Sequence, residues 1–112
     1  MTYKPYSVVI VPFPFTESIR TKRRPALVLS TEKHQNETGH ITLLMITSAK
    51  HSVWPSDYSI EHLKTTGLPS LSIIRQKIFT LDLTLIQGVL GCLSASDKNK
   101  LSINLISISV FN

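Results

Sequence analysis

Apolar positions along the chain fall into short runs separated by polar, proline-marked and glycine-marked stretches, a pattern of many short strands. The first run, Ser7 to Val11 (SVVIV), is rich in β-branched residues and reads as a strand that Pro12-Phe13-Pro14-Phe15 ends. Thr16 to Arg23 has no hydrophobic period and is polar and basic, so a surface loop is predicted there. A second strand is expected over Ala26 to Ser30. Pro25 reads as its first residue, because proline fixes its own φ and has no N–H for a ladder, and it biases Arg24 toward an extended conformation. Thr31 to Gly39 is polar and reads as a mobile connection. Ile41 to Thr47 is nearly all apolar, as in a central strand buried on both faces, and it ends in the two hydroxyls of Thr47 and Ser48.

Ala49 to Asp57 is predicted to be a loop that contains Trp54-Pro55, and Tyr58 to Ile60 a short strand. Leu63 to Pro69 has the glycine and proline of a tight connection. Ser70 to Arg75 and Lys77 to Leu81 read as one bent strand or two short ones. Gly88 and Gly91 weaken any helix between Leu83 and Leu93, so a short, poorly regular element is expected. Ser94-Ala95-Ser96-Asp97 is a capping box with Asp in place of Glu and sets a helix start just before Lys98. Leu101, Leu105 and Ile108 keep helical spacing in that last element, although Leu101, Ile103 and Leu105 also alternate. These elements predict a mainly β fold, a small, strongly twisted sheet or partly open barrel with a C-terminal helix.

At 112 residues the chain is read as one domain, 1–112, too short for a cofactor domain beside a substrate domain. Twelve Lys and Arg against seven Asp and Glu favour polyanionic or acidic partners, and four of those cations lie between Arg20 and Arg24. The arginine, threonine and serine at the ends of neighbouring strands suggest a phosphate site. The single cysteine, Cys92, excludes an intrachain disulfide and a Cys-based zinc site and fits a reducing cytoplasm. Pro12 and Pro14 break the apolar run Tyr6 to Phe15, which is read as a strand and not as a signal peptide, and no run is long enough to span a membrane. The histidines show no metal-ligand spacing, and the four glycines form no phosphate-cradling loop.

The segments VVIVPFPFTES, KRRPALVLS, MITSAK, GLPSLSIIRQKIFTLD and LGCLSASD, in that order from Val8 to about Asp97, resemble the MazF/PemK-type toxins of bacterial toxin–antitoxin pairs. The resemblance implies a small SH3-like barrel of twisted antiparallel strands with a terminal helix, a homodimer, and cleavage of single-stranded RNA without a metal or other cofactor. The family's arginine in its RRP motif falls on Arg24 and its strand-end threonine on Thr47, which are thereby the expected catalytic pair. Ser48 and Arg75 fall on family-like positions. The family usually has Gly-Asp where this chain has Tyr6-Ser7, and some members place a carboxylate near Gln76.

The chemistry suits those residue types. When a ribose 2′-hydroxyl attacks its own phosphorus, the protein must hold an in-line geometry and stabilise charge on the phosphoryl oxygens. A guanidinium grips two oxygens at once, and a strand-end hydroxyl donates a further bond. Lys22, Arg23, Ser48, Lys50 and Arg75 are the expected RNA contacts, with stacking from Phe15 or Trp54. Since a guanidinium is a poor base in water, His51 competes with Arg24 for proton transfer. His34, His40, His51 and His62 are otherwise read as solvated. The same groove would take an acidic antitoxin segment. The alternative reading is a non-catalytic module that binds single-stranded nucleic acid or a partner protein, and a third is a dimeric scaffold with a merely solvated basic loop.

Overall fold

The computed structural model describes residues 1–12, 22–48 and 53–107. Its strands are β1 (Ser7–Pro12), β2 (Arg23–Val28), β3 (His40–Ser48), β4 (Tyr58–Ser59), β5 (Ser72–Asp82) and β6 (Gly88–Cys92). They form one antiparallel sheet in the order β4-β5-β3-β2-β1-β6, curled into a half-barrel. Two helices, α1 (Glu32–Thr38) and α2 (Ala95–Ser107), and 3₁₀ turns at Leu63–Thr66 and Leu83–Leu85 complete the described elements. The fold is mainly β with a C-terminal helix, as the sequence predicts.

β3 is the spine. Leu44 and Ile46 pack on one face with Val8, Leu27, Ile74 and Leu101 of α2, while Ile41 and Leu43 pack on the other with Val9, Val11, Val28 and Phe79. The apolar run is therefore continuous because both faces are buried. Each fully buried aliphatic side chain contributes about 1.5–3 kcal/mol of transfer free energy. β3 pairs with β5 along its whole length, but the register jumps between Leu44↔Ile78 and Met45↔Arg75. Gln76 and Lys77 are the extra residues on β5, so the predicted bent strand is one strand with a bulge.

The structure corrects several expected boundaries. Thr31 to Gly39 is not a mobile connection but holds α1. Thr31 Oγ1 accepts the His34 N–H at 3.1 Å and Gly39 closes the helix at φ +70°. Gln35 is buried and accepts the Tyr3 N–H at 2.8 Å while its amide donates to the Tyr3 carbonyl, which pins the helix to the chain start. The signal was present in Thr31 and Gly39, and polarity concealed it because only Gln35 of α1 is buried. The region from Leu83 to Leu93 contains a full strand, β6, since a glycine that weakens a helix permits close backbone approach in a sheet. A Cβ on Gly91 would collide with the backbone of Thr65 and Thr66, and Thr65 Oγ1 donates to the Cys92 carbonyl at 2.8 Å. This 3₁₀ turn thus joins the β4 and β6 sides of the half-barrel.

Tyr6 takes a left-handed φ of +67° at the position where the resembled family carries glycine. For a residue with a side chain that conformation costs about 1–2 kcal/mol. Three contacts hold it there: its N–H donates to the Val28 carbonyl at 2.7 Å, its carbonyl accepts from Leu93, and its hydroxyl meets Ser102 Oγ on α2.

The capping box forms, with the helix starting at Ala95 and not at Lys98. Ser94 Oγ accepts the Asp97 N–H at 3.1 Å and donates to the Asp97 carboxylate. That carboxylate is fully buried and also accepts the Tyr58 hydroxyl at 2.5 Å and the N–H groups of Glu61 and His62 at 3.0 Å, tying α2 to β4 and the turn beyond it. Burial pushes the Asp97 pKa up, but the hydrogen bonds from Tyr58, Glu61, His62 and Ser94 outweigh it and leave the carboxyl below its ordinary value of 3.8. Its stabilising contribution is fully present above that unfolded value and is lost as pH falls through the lower folded one. Asp97→Asn is expected to cost about 2–4 kcal/mol in urea unfolding at neutral pH, because it leaves neighbouring donors poorly satisfied. The wild-type urea midpoint should drop on acidification below the ordinary carboxylate range and the variant's should drop less; a wild-type midpoint that rises there would contradict the assignment.

Candidate active site

The site arises where two neighbouring strands stop pairing. β2 and β3 are laddered only from Ala26↔Met45 to Val28↔Leu43, although β2 continues back along β1 to Arg23 and β3 continues along β5 to Ser48. Pro25 stands at the first unpaired step, inside β2 and not at its start as predicted. A residue without an N–H is tolerated there because β2 has already lost its β3 neighbour. Carrying the register outward sets Pro25 against Ile46 and Arg24 against Thr47.

A trough of about 320 Å³ opens at this parting. Ile10, Arg24 and Pro25 line it from β1 and β2, and Ile46, Thr47 and Ser48 from β3; Leu68, Pro69, Ser70 and Ser72 form the wall before and at the start of β5, and Leu90 closes it from β6. Three of the sequence-predicted residues, Arg24, Thr47 and Ser48, are therefore brought together. Arg24 is the one charged side chain among the described residues that line the trough. Its Nε is buried and has no hydrogen-bond partner. Leaving such a donor unsatisfied costs about 1–3 kcal/mol, an expense that an anion in the trough would relieve. No side-chain hydrogen bond ties the Thr47 hydroxyl to another described residue, so both groups expected to meet a phosphate are uncommitted.

The remaining candidates lie elsewhere. Lys22 and Arg23 are exposed at the start of β2, and Arg23 Nε donates to Gln87 Oε1 at 2.8 Å. Lys50, Phe15 and His51 fall outside the described residues. His34, His40 and His62 are exposed, and none lines the trough. Among the described residues no group of three His, Cys, Asp or Glu gathers that could hold a metal ion.

Arg75 departs most from expectation. It is 7% exposed and forms a bidentate pair with Asp57, Nε to Oδ1 at 3.1 Å and Nη2 to Oδ2 at 2.9 Å, under the Trp54 ring at 4.8 Å. Asp57 Oδ2 also accepts the Trp54 N–H at 2.8 Å. The guanidinium beside Asp57 holds that carboxyl below its ordinary value, and the same hydrogen bonds raise the Arg75 pKa. Arg75 thus anchors the segment around Trp54, with its guanidinium engaged by Asp57 and outside the residues that line the trough. Sequence reasoning missed Asp57 because its partner lies eighteen positions away on β5.

The structure is thus a small, curled antiparallel β protein with an arginine-bearing trough at the open ends of two central strands. Over residues 4–108 the chain matches the PemK-like, MazF-like toxins of type II toxin–antitoxin systems, and it belongs to that family. MazF from Deinococcus radiodurans superposes with a TM-score of 0.72 at 20% identity, covering 96% of both chains. The Mycobacterium tuberculosis toxin MazF-mt6 gives 0.71 at 19% identity, covering 90% of this chain and 93% of that one. A mycobacterial endoribonuclease in complex with its cognate antitoxin gives 0.71 at 15% identity, covering 95% and 91%. No curated protein sequence matches the chain.

The two arginines should separate in a stability measurement. Asp57→Ala removes the carboxylate that meets the buried Arg75 guanidinium and is expected to cost about 3–5 kcal/mol in urea unfolding. Arg24→Ala removes a donor that gains nothing from the fold, so its midpoint should match or exceed that of the wild type. Equal destabilisation by both substitutions would contradict the division into anchor and site.

Proposed function

We propose that this family member is a metal-independent, sequence-selective endoribonuclease that acts on single-stranded RNA in the cytoplasm, as a homodimer neutralised by an acidic antitoxin segment. The observation that carries the reading is the meeting of Arg24 and Thr47 in one trough, with Arg24 Nε buried and unpaired. In this reading the guanidinium fork spans two oxygens of the scissile phosphate, and Thr47 Oγ1 donates to it from the rigid end of β3. Both groups bear on charge that grows as the 2′-oxygen closes on phosphorus and the 5′-oxygen departs. The 2′-hydroxyl loses its proton and the leaving oxygen gains one, so the fragments carry a 2′,3′-cyclic phosphate and a 5′-hydroxyl. No described histidine lines the trough, and Arg24 is the one ionisable group described there, which supports it in the proton transfer.

Lys22, just before β2, and Arg23 at its start, both exposed, supply the sequence-independent phosphate contacts that make RNA affinity salt-dependent. Lys50 is proposed to do the same. An acidic antitoxin segment would compete for this surface, so RNA and antitoxin should exclude one another in a titration, and simultaneous occupancy would count against a shared site.

Purified protein incubated with a long RNA and a chelator is expected to generate new ends of the stated chemistry. Arg24→Ala should lower the cleavage rate by about 10²–10³-fold with the circular dichroism spectrum unchanged, as when an oxyanion donor is removed. RNA bound without new ends would favour the binding-module reading, and a His51→Ala variant that loses cleavage while Arg24→Ala keeps it would reverse the assignment.

A further inference from the structure

Leu90 is set in place by a bulge. β6 pairs with β1 as Gly91↔Val8 and then as Val89↔Val9, so Leu90 is an extra residue with no partner across the ladder. A bulge frees such a residue from the alternation of the strand and re-aims its side chain, often beside a site. The backbone is held tightly here. A Cβ on Gly67, whose φ is +73°, would collide with the Leu90 carbonyl, and one on Gly91 would collide with the Thr65 and Thr66 backbone. These two glycines let the 3₁₀ turn and the residue after it lie directly against the bulge.

The Leu90 side chain is not core. It is 40% exposed and belongs to neither core cluster of the described residues, yet it lines the trough; Val89 beside it is also exposed and does not. The other apolar lining residues are Ile10, which stands opposite Pro25 across β1 and β2, Pro25 itself, Ile46, Leu68 and Pro69. One cation, Arg24, is therefore set among apolar surfaces. A nucleotide has the same layout, an anion joined through a ribose to a flat ring whose π-faces are apolar.

We infer that Leu90 is a substrate-contacting residue, which packs on the face of a nucleobase adjoining the phosphate that Arg24 holds. This rests on the ribonuclease reading and deepens it by naming the residue that the base meets. Every base has such a face, so the contact contributes affinity at that nucleotide and leaves the choice of base to groups that reach its edges.

Two measurements test it. First, an RNA oligonucleotide that the wild type cuts once is compared, with chelator present, with copies carrying a single abasic ribose at each position flanking the cut. One abasic position should lower the wild-type kcat/KM by about tenfold; Leu90→Ala should lose about tenfold on the intact RNA and nothing further at that position, and Leu90→Met should restore most of the loss. Val89→Ala should cut at the wild-type rate. Second, the Leu90 and Val89 methyl groups are labelled with carbon-13 and an RNA blocked from cleavage by 2′-O-methylation is titrated in. The Leu90 methyl signals should move upfield in the ring current of the base while those of Val89 stay in place. This arm needs neither cleavage nor a substitution. Leu90→Ala cutting like the wild type, an equal loss in Val89→Ala, or losses that multiply at every abasic position would overturn the inference. So would Leu90 methyl signals unmoved at saturating RNA, which would leave the apolar wall to a protein segment. Upfield Leu90 signals in a protein that never cuts RNA would uphold the base contact and sink the nuclease reading alone.

Discussion

The ladder between β2 and β3 ends at Ala26↔Met45, and the site follows from that parting. Each strand remains fixed from its other side, β2 by β1 and β3 by β5, so the opening between them is held by rigid walls. Pro25 belongs at this step because it has no N–H to waste, and its neighbour Arg24 is carried into the gap that the missing ladder leaves. Had β2 and β3 stayed paired to their ends, backbone would fill the volume where a phosphate is proposed to sit.

Charge is handled in two opposite ways on the same small scaffold. Arg75 and Asp97 are buried and fully engaged, and they tie the segment around Trp54 and the start of α2 to the sheet. Arg24 is partly buried with its Nε unmatched. The first arrangement fixes the chain and the second leaves binding capacity unspent. Fold stability and the proposed phosphate binding thus rest on different ionisable groups, and measurement can tell them apart.

Much of this was legible in the sequence where burial and local chemistry agree. The apolar run Ile41 to Thr47 gave the central strand, Ser94 and Asp97 gave the helix start to within three residues, and the motif residues Arg24, Thr47 and Ser48 converge on one trough. Local reading failed where a distant partner decides the outcome. α1 depends on Gln35 reaching Tyr3, and β6 depends on Gly91 admitting the Thr65 backbone. Arg75 reads as an RNA contact in the sequence because Asp57, its ion-pair partner, is remote in the chain. The serine-lined wall formed by Ser70 and Ser72 was not singled out either, since serines near a proline read as an ordinary connection until the cavity behind them is seen.

The most direct test of the central claim observes the Arg24 side chain itself. With the arginine Nε–Hε groups labelled with nitrogen-15, an RNA blocked from cleavage by 2′-O-methylation is titrated into the protein. The Arg24 Nε–H signal is expected to move downfield and become protected from solvent exchange as the RNA binds, while the Arg75 signal, already paired with Asp57, stays in place. Saturation by RNA with the Arg24 signal unmoved would mean that the trough is not where the phosphate binds.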